Sequence, residues 1–285
     1  MRSEERAALA WYVIGAYTIA WTVWFCSRYY TNDLSVSVGK TTISIPWQMI
    51  VLGLGSAGPG VSASLVTWTT EGPSGLRRLW ASVKPRRSDL LRVLGVCAIL
   101  PVIEFVGLSL YFLRGGHVAA VGNPIKWLRL LVLNLPVAPL WEELGWRAYL
   151  LRKLESRHSA LWSTAIVACV WVPWHWSLHQ GQSFEYWVWF LLFAAAFSIL
   201  LTYVFNSSDG LVPCAFLHGA ANATTLYLLA PTMVKYGVSA FRYVAATTVC
   251  GAIVTLTWAG RDLNRSKKFG LPEQTLSTAS SEVRS

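Results

Sequence analysis

Three short segments of this 285-residue chain place ionisable side chains among apolar neighbours, and each could do chemistry. The first is Trp141-Glu142-Glu143-Leu144-Gly145-Trp146-Arg147. On a helix Glu143 and Arg147 stand four apart with the glutamate N-terminal, the favoured ion-pair arrangement. Glu142 then points about 100° away and lacks that partner. The two carboxylates thus divide into a paired orienter and a less-compensated group, the candidate general base. A purely structural Glu–Arg clamp fits this segment equally well. The second segment, Trp171-Val172-Pro173-Trp174-His175, holds a histidine beside a proline that should bend its helix. His179 follows one turn later. The third, His218-Gly219-Ala220-Ala221-Asn222, sets a histidine and an asparagine on one helical face with small residues between them. Both side chains can donate hydrogen bonds to a developing oxyanion. They serve equally as glue between helices. Glu104 stands alone, and nothing beside it points to a role beyond structure. Together the three segments supply a base, an orienter and oxyanion donors, the parts of a hydrolase.

The elements that must position these residues are membrane helices. Hydrophobic residues make up 54% of the chain and charged residues 13%, against about 25% charged in a globular domain. So much apolar surface calls for lipid contact, and many of the 16 Trp lie near the ends of apolar runs, as interfacial rings do. Eight apolar segments approach the roughly 20 residues that span a bilayer: 8–26, 46–68, 90–113, 128–150, 159–178, 186–205, 211–230 and 239–259. The sequence therefore predicts an all-α polytopic membrane bundle of about eight helices, with the candidate residues on spans 4, 5 and 7. Gly53, Gly55, Gly58, Pro59 and Gly60 mark span 2 as bent or closely packed.

Basic residues gather in alternate connections. Arg77, Arg78, Lys84, Arg86 and Arg87 follow span 2; Arg152, Lys153 and Arg157 follow span 4; Arg261, Arg265, Lys267 and Lys268 follow span 8. The other connections hold fewer: Arg28 and Lys40, Arg114 and Lys126, Lys235 and Arg242. With eight spans this puts both termini in the cytoplasm. The excess of 24 Lys+Arg over 14 Asp+Glu is a topology signal and not a nucleic-acid stripe. The five cysteines are scattered singly, without a CxxC. Residues 1–260 read as one integral membrane domain without internal repeats, and 261–285 as a basic, then Ser/Thr-rich tail.

These segments resemble the motifs of the CAAX protease and bacteriocin-processing (CPBP, Abi-type) family of intramembrane glutamic endopeptidases. That family's first motif, two glutamates, three residues and an arginine, matches Glu142, Glu143 and Arg147, with Pro139 just before and Trp146 before the arginine. An aromatic, three residues and a histidine match Trp171 and His175, with Trp where Phe is commoner. A histidine, three residues and an asparagine match His218 and Asn222. Gly58-Pro59 through Gly75-Leu76-Arg77 looks like the family's Gly-Pro helix and the basic loop after it, so the resemblance covers roughly 45–230. It implies that Glu142 and His175 activate water, that His218 and Asn222 stabilise the oxyanion, and that Glu143 and Arg147 position the site.

The expectation is an intramembrane endopeptidase of a bacterial plasma membrane, acting on a peptide or membrane-protein substrate within the lipid bilayer, with no nucleic acid and no cofactor. No metal enters this scheme, although His175 and His179 have the spacing of two zinc ligands on a helix. The competing class is a non-proteolytic immunity factor, scaffold or regulator on the same fold. A proton-coupled carrier is the third, and it would call for repeats and broken helices in matching halves.

Overall fold

The structure is a computed structural model describing residues 3–26, 34–38, 41–45, 47–85, 89–120, 122–208 and 210–264. Arg28, Lys40, Arg86, Arg87, Arg265, Lys267, Lys268 and the tail Ser277 to Ser285 lie outside them. Helices carry the fold. After α1 (Ser3–Cys26) comes an antiparallel hairpin, β1 (Leu34–Val38) and β2 (Thr41–Ile45), with Leu34 opposite Ile45. The all-helical expectation did not include it, although polar and β-branched residues alternate there with the period of a strand.

Next come α2 (Trp47–Ser56) and α3 (Gly58–Ala81), which run on almost without a break. The Ala57 N–H still donates to the Gly53 carbonyl at 3.0 Å, and Val61 N–H to Ala57 at 2.9 Å. The bend comes later, at Gly72, where φ is 67° and ψ is −166°, a left-handed backbone that favours glycine. Gly75, Leu76 and Arg77, expected as a basic loop, continue as helix beyond it.

The chain goes on through α4 (Asp89–Leu113), α5 (Pro124–Asn134) and α6 (Pro139–Glu143). A π-helical stretch, Leu144–Leu151, leads into α7 (Arg152–Glu155). Then follow α8 (Ala160–Trp174), which tightens into a 3₁₀ turn at His175–Ser177, and α9 (Phe184–Ser208). Next, α10 (Leu211–Thr224) widens into a second π stretch, Thr225–Leu229, before α11 (Ala230–Tyr236). Among the described residues the last helix is α12 (Ser239–Ala259).

Among the described residues five helices are long and apolar enough to cross a membrane: Ser3–Cys26, Ile50–Ala81, Leu91–Leu113, Phe184–Ser208 and Ser239–Ala259. Large apolar side chains such as Leu91, Phe105 and Phe112 face outward from α4, where only lipid would cover them. The segment 128–150, read from sequence as one span, is broken. α5 stops at Asn134, turns occupy 135–138, and α6 restarts at Pro139. Pro136 and Pro139 bring no N–H to a continuous ladder, and Pro139 suits the first turn of a new helix.

The basic connections gather at one end of the bundle. Arg157 pairs with Glu5 and Lys153 with Glu71, each at 2.6 Å. The Leu161 N–H reaches the Arg261 carbonyl at 2.9 Å, and Leu211 N–H the Ser82 carbonyl at 3.1 Å.

The interior is aromatic. Trp146 meets Tyr12 edge-on at 5.8 Å and Trp174 edge-on at 5.7 Å, and all three rings are fully buried. Between α3 and the segment from α6 into the π stretch, the contact is backbone on backbone. A Cβ on Gly145 would come within 2.5 Å of Pro59, and one on Gly60 within 2.8 Å of the Trp141 carbonyl.

Candidate active site

The short helix α6 presents Glu142 and Glu143 side by side, with the Glu142 N–H bonded to the Ala138 carbonyl at 3.0 Å. They diverge as their helical phase requires. Glu143 points into packed protein, where its Oε1 accepts from Arg147 Nη1 at 3.1 Å and from His218 Nδ1 at 2.6 Å. Its Oε2 accepts from the Cys214 thiol at 3.3 Å. Arg147, also fully buried, donates from Nη2 to Ser198 Oγ on α9 at 3.0 Å. A carboxylate and a guanidinium without solvent need this density of partners, because each ion alone would cost several kcal/mol to bury. Glu142 has no such cation. Its Oε2 accepts from the Trp171 indole N–H at 3.2 Å, and its side chain lines a cavity.

α8 delivers the second segment. Pro173 sits in its last turn, and beyond it the chain tightens so that His175 opens the 3₁₀ turn. Helix α1 holds this end in place: Trp21 Nε1 donates to the Trp174 carbonyl at 2.8 Å, and Trp174 Nε1 to the Ala16 carbonyl at 3.2 Å. His175 Nδ1 lies 2.9 Å from the Trp171 carbonyl. A carbonyl only accepts, so Nδ1 carries the proton, and Nε2 of the neutral ring is left as an acceptor.

α10 delivers the third. His218 and Asn222 share a face, and Asn222 Nδ2 donates to Asn134 Oδ1 at 3.1 Å, just before the break between α5 and α6. One N–H of that amide is thereby used and one remains.

Glu142, His175, His218 and Asn222 line the same cavity, about 230 Å³ in volume. Three sequence-distant segments therefore converge. Glu143 and Arg147 stand behind the wall, joined to the cavity through His218. Much of the remaining lining is apolar and aromatic, including Trp174, Phe190, Phe193 and Phe241. His179 also lines it; its ring stacks on His175 at 5.9 Å and its Nδ1 lies 3.3 Å from the Tyr186 hydroxyl. Among the described residues no group of three His, Cys, Asp or Glu side chains is gathered as metal ligands would be. Glu104 is fully buried on α4 and accepts from the Thr225 hydroxyl at 2.9 Å, at the start of the second π stretch.

Sequence reasoning missed Asn134, Ser198 and Cys214 as partners of the site. A faint signal existed for one of them: Cys214, His218 and Asn222 recur every four residues, one helical face. Asn134 and Ser198 are single polar residues in apolar runs, and only the fold brings them to Asn222 and Arg147.

Residues 124–224 match the family model described as type II CAAX prenyl endopeptidase Rce1-like. All six candidate residues fall inside the match, while the Gly58–Pro59 segment falls outside it. No curated protein gives a significant match to the chain.

Proposed function

From the match of residues 124–224 to the type II CAAX prenyl endopeptidase Rce1-like model, we propose that this protein is an intramembrane endopeptidase that hydrolyses a peptide bond with water activated by Glu142 and His175. The observation that carries the reading is the single cavity shared by Glu142, His175, His218 and Asn222. Glu142 is the carboxylate without an arginine or lysine partner, and His175 keeps Nε2 free to accept, so the two can share the proton of one water. The water oxygen then adds to the scissile carbonyl carbon. The oxyanion accepts from the second N–H of Asn222 and from His218 Nε2, because His218 Nδ1 is taken by Glu143. To donate from Nε2, the His218 ring must carry a proton on both nitrogens. Collapse breaks the C–N bond, and the proton held at Glu142 and His175 goes to the leaving amine. Glu143 and Arg147 position His218 and touch no substrate.

The substrate is a peptide or a membrane-protein segment that enters a cavity with a largely apolar wall. The basic end of the bundle faces the cytoplasm by the positive-inside rule, together with the start of α1. Glu142→Gln keeps the shape of the side chain and removes its basicity. Peptide cleavage by the purified, folded variant in detergent or liposomes should fall about 100-fold or more. Cleavage at the wild-type rate would sink the assignment.

A further inference from the structure

Trp171 touches more of the site than any of the six residues that the motifs single out for chemistry. Its indole N–H donates to Glu142 Oε2 at 3.2 Å. Its backbone carbonyl accepts from His175 Nδ1 at 2.9 Å. The face of its ring lies 5.1 Å from the Arg147 guanidinium carbon, within cation–π range. His218 meets the ring edge-on at 5.6 Å. The side chain is buried, and Phe197 closes its remaining side at 6.1 Å.

We propose that Trp171 is the positioning residue of the reaction, and that its indole N–H fixes the orientation of the Glu142 carboxylate. This rests on the endopeptidase reading above. The chemistry is specific to an indole. Glu142 has no arginine or lysine partner, and a carboxyl group facing a cavity turns freely about its last side-chain bond unless a donor holds one oxygen. The indole engages Oε2, and the Ser56 side chain also bonds to this carboxylate from the cavity wall, so the two donors together aim the group at the water whose proton it takes. The same residue sets the tautomer of His175 through its main chain, so both partners in water activation take their geometry from one position. Phenylalanine would keep an aromatic ring beside Arg147 and His218 while losing the N–H and part of the indole's volume, which is why the unfolding midpoint is read alongside the kinetics.

Trp171→Phe should therefore lower kcat about tenfold or more, leave KM within about twofold, and leave the thermal unfolding midpoint in detergent close to wild type. A wild-type kcat overturns the proposal. So does a raised KM at constant kcat, which would make the ring a wall of the substrate site. So does a loss of activity matched by a loss of folded protein. A second measurement needs neither activity nor the Phe variant. In the indole ¹⁵N–H NMR spectrum, Glu142→Gln should shift one Trp resonance that stays in place in Glu71→Gln; an unchanged spectrum overturns the contact. Retained cleavage by Glu142→Gln together with a shifted indole resonance would sink the assignment of Glu142 as the base while leaving its contact with Trp171 standing.

Discussion

The five long apolar helices and the helices that carry the candidate site obey different rules. None of the six candidate residues lies on a helix long and apolar enough to cross a membrane. They lie on the interrupted ones: α6 with its π stretch, α8 with its proline and 3₁₀ turn, and α10 just before the second π stretch. A helix against lipid has to satisfy its own backbone, and although Gly72 bends α3 near its end and Pro101 sits within α4, the long helices continue as helix past both. A helix surrounded by other helices can break its ladder and direct polar groups into a cavity. The long helices serve as that surrounding, as when α9 supplies Ser198 to Arg147 and α1 holds the end of α8. The buried ion pair Glu143–Arg147 lies in the interior, and the only other fully buried acidic side chain among the described residues is Glu104 on α4, while more exposed ion pairs such as Lys153–Glu71 sit at the bundle's end.

This contrast is tested most severely at its centre. Arg147→Leu leaves Glu143 buried with His218 and Cys214 as its remaining partners, and should cost about 3–5 kcal/mol of stability. Chemical denaturation in mixed micelles would show it, and a loss under 1 kcal/mol would mean that the buried cluster is not what holds this region. Ser198→Ala removes one acceptor from a buried guanidinium and should cost about 1.5–3 kcal/mol in the same assay. Gly145→Ala forces a methyl against the Pro59 backbone, and about 1–3 kcal/mol of destabilisation is expected. Loss of cleavage ahead of unfolding in that variant would place the strain at the carboxylates. Lys153→Ala breaks a pair whose side chains are 43% and 30% exposed, so its cost should stay within about 1 kcal/mol and vanish in high salt. If it exceeded the cost of Ser198→Ala, the division between interior and periphery would collapse.

The same division explains what the sequence could and could not tell. Long helices announce themselves by apolar length, so α1, α4, α9 and α12 lie close to the segments read from composition. The Glu143–Arg147 pair was legible because four-residue spacing on one helix is a local rule. The break at 135–138 was masked because Val132, Leu133, Leu135 and Val137 keep the run apolar through it. A hydropathy window averages over a proline, while a backbone ladder does not. Contacts across 29 residues, as from Trp171 to Glu142, or 75, as from His218 to Glu143, leave no periodic trace in one sequence. The motif resemblance named four residues that line one cavity, Glu142, His175, His218 and Asn222, although their contacts do not follow from spacing.

The seam at Gly60 and Gly145 has a mechanical consequence. Side chains between helices act as cushions, since a rotamer can turn or a methylene slide. Between Pro59 and Gly145, and between Gly60 and Trp141, there is little of that kind to yield. α3 and the segment bearing Glu142 and Glu143 therefore tilt as one lever. A bilayer of different thickness tilts the long helices that cross it, so cleavage measured in liposomes of graded acyl length is expected to vary with the bilayer's thickness.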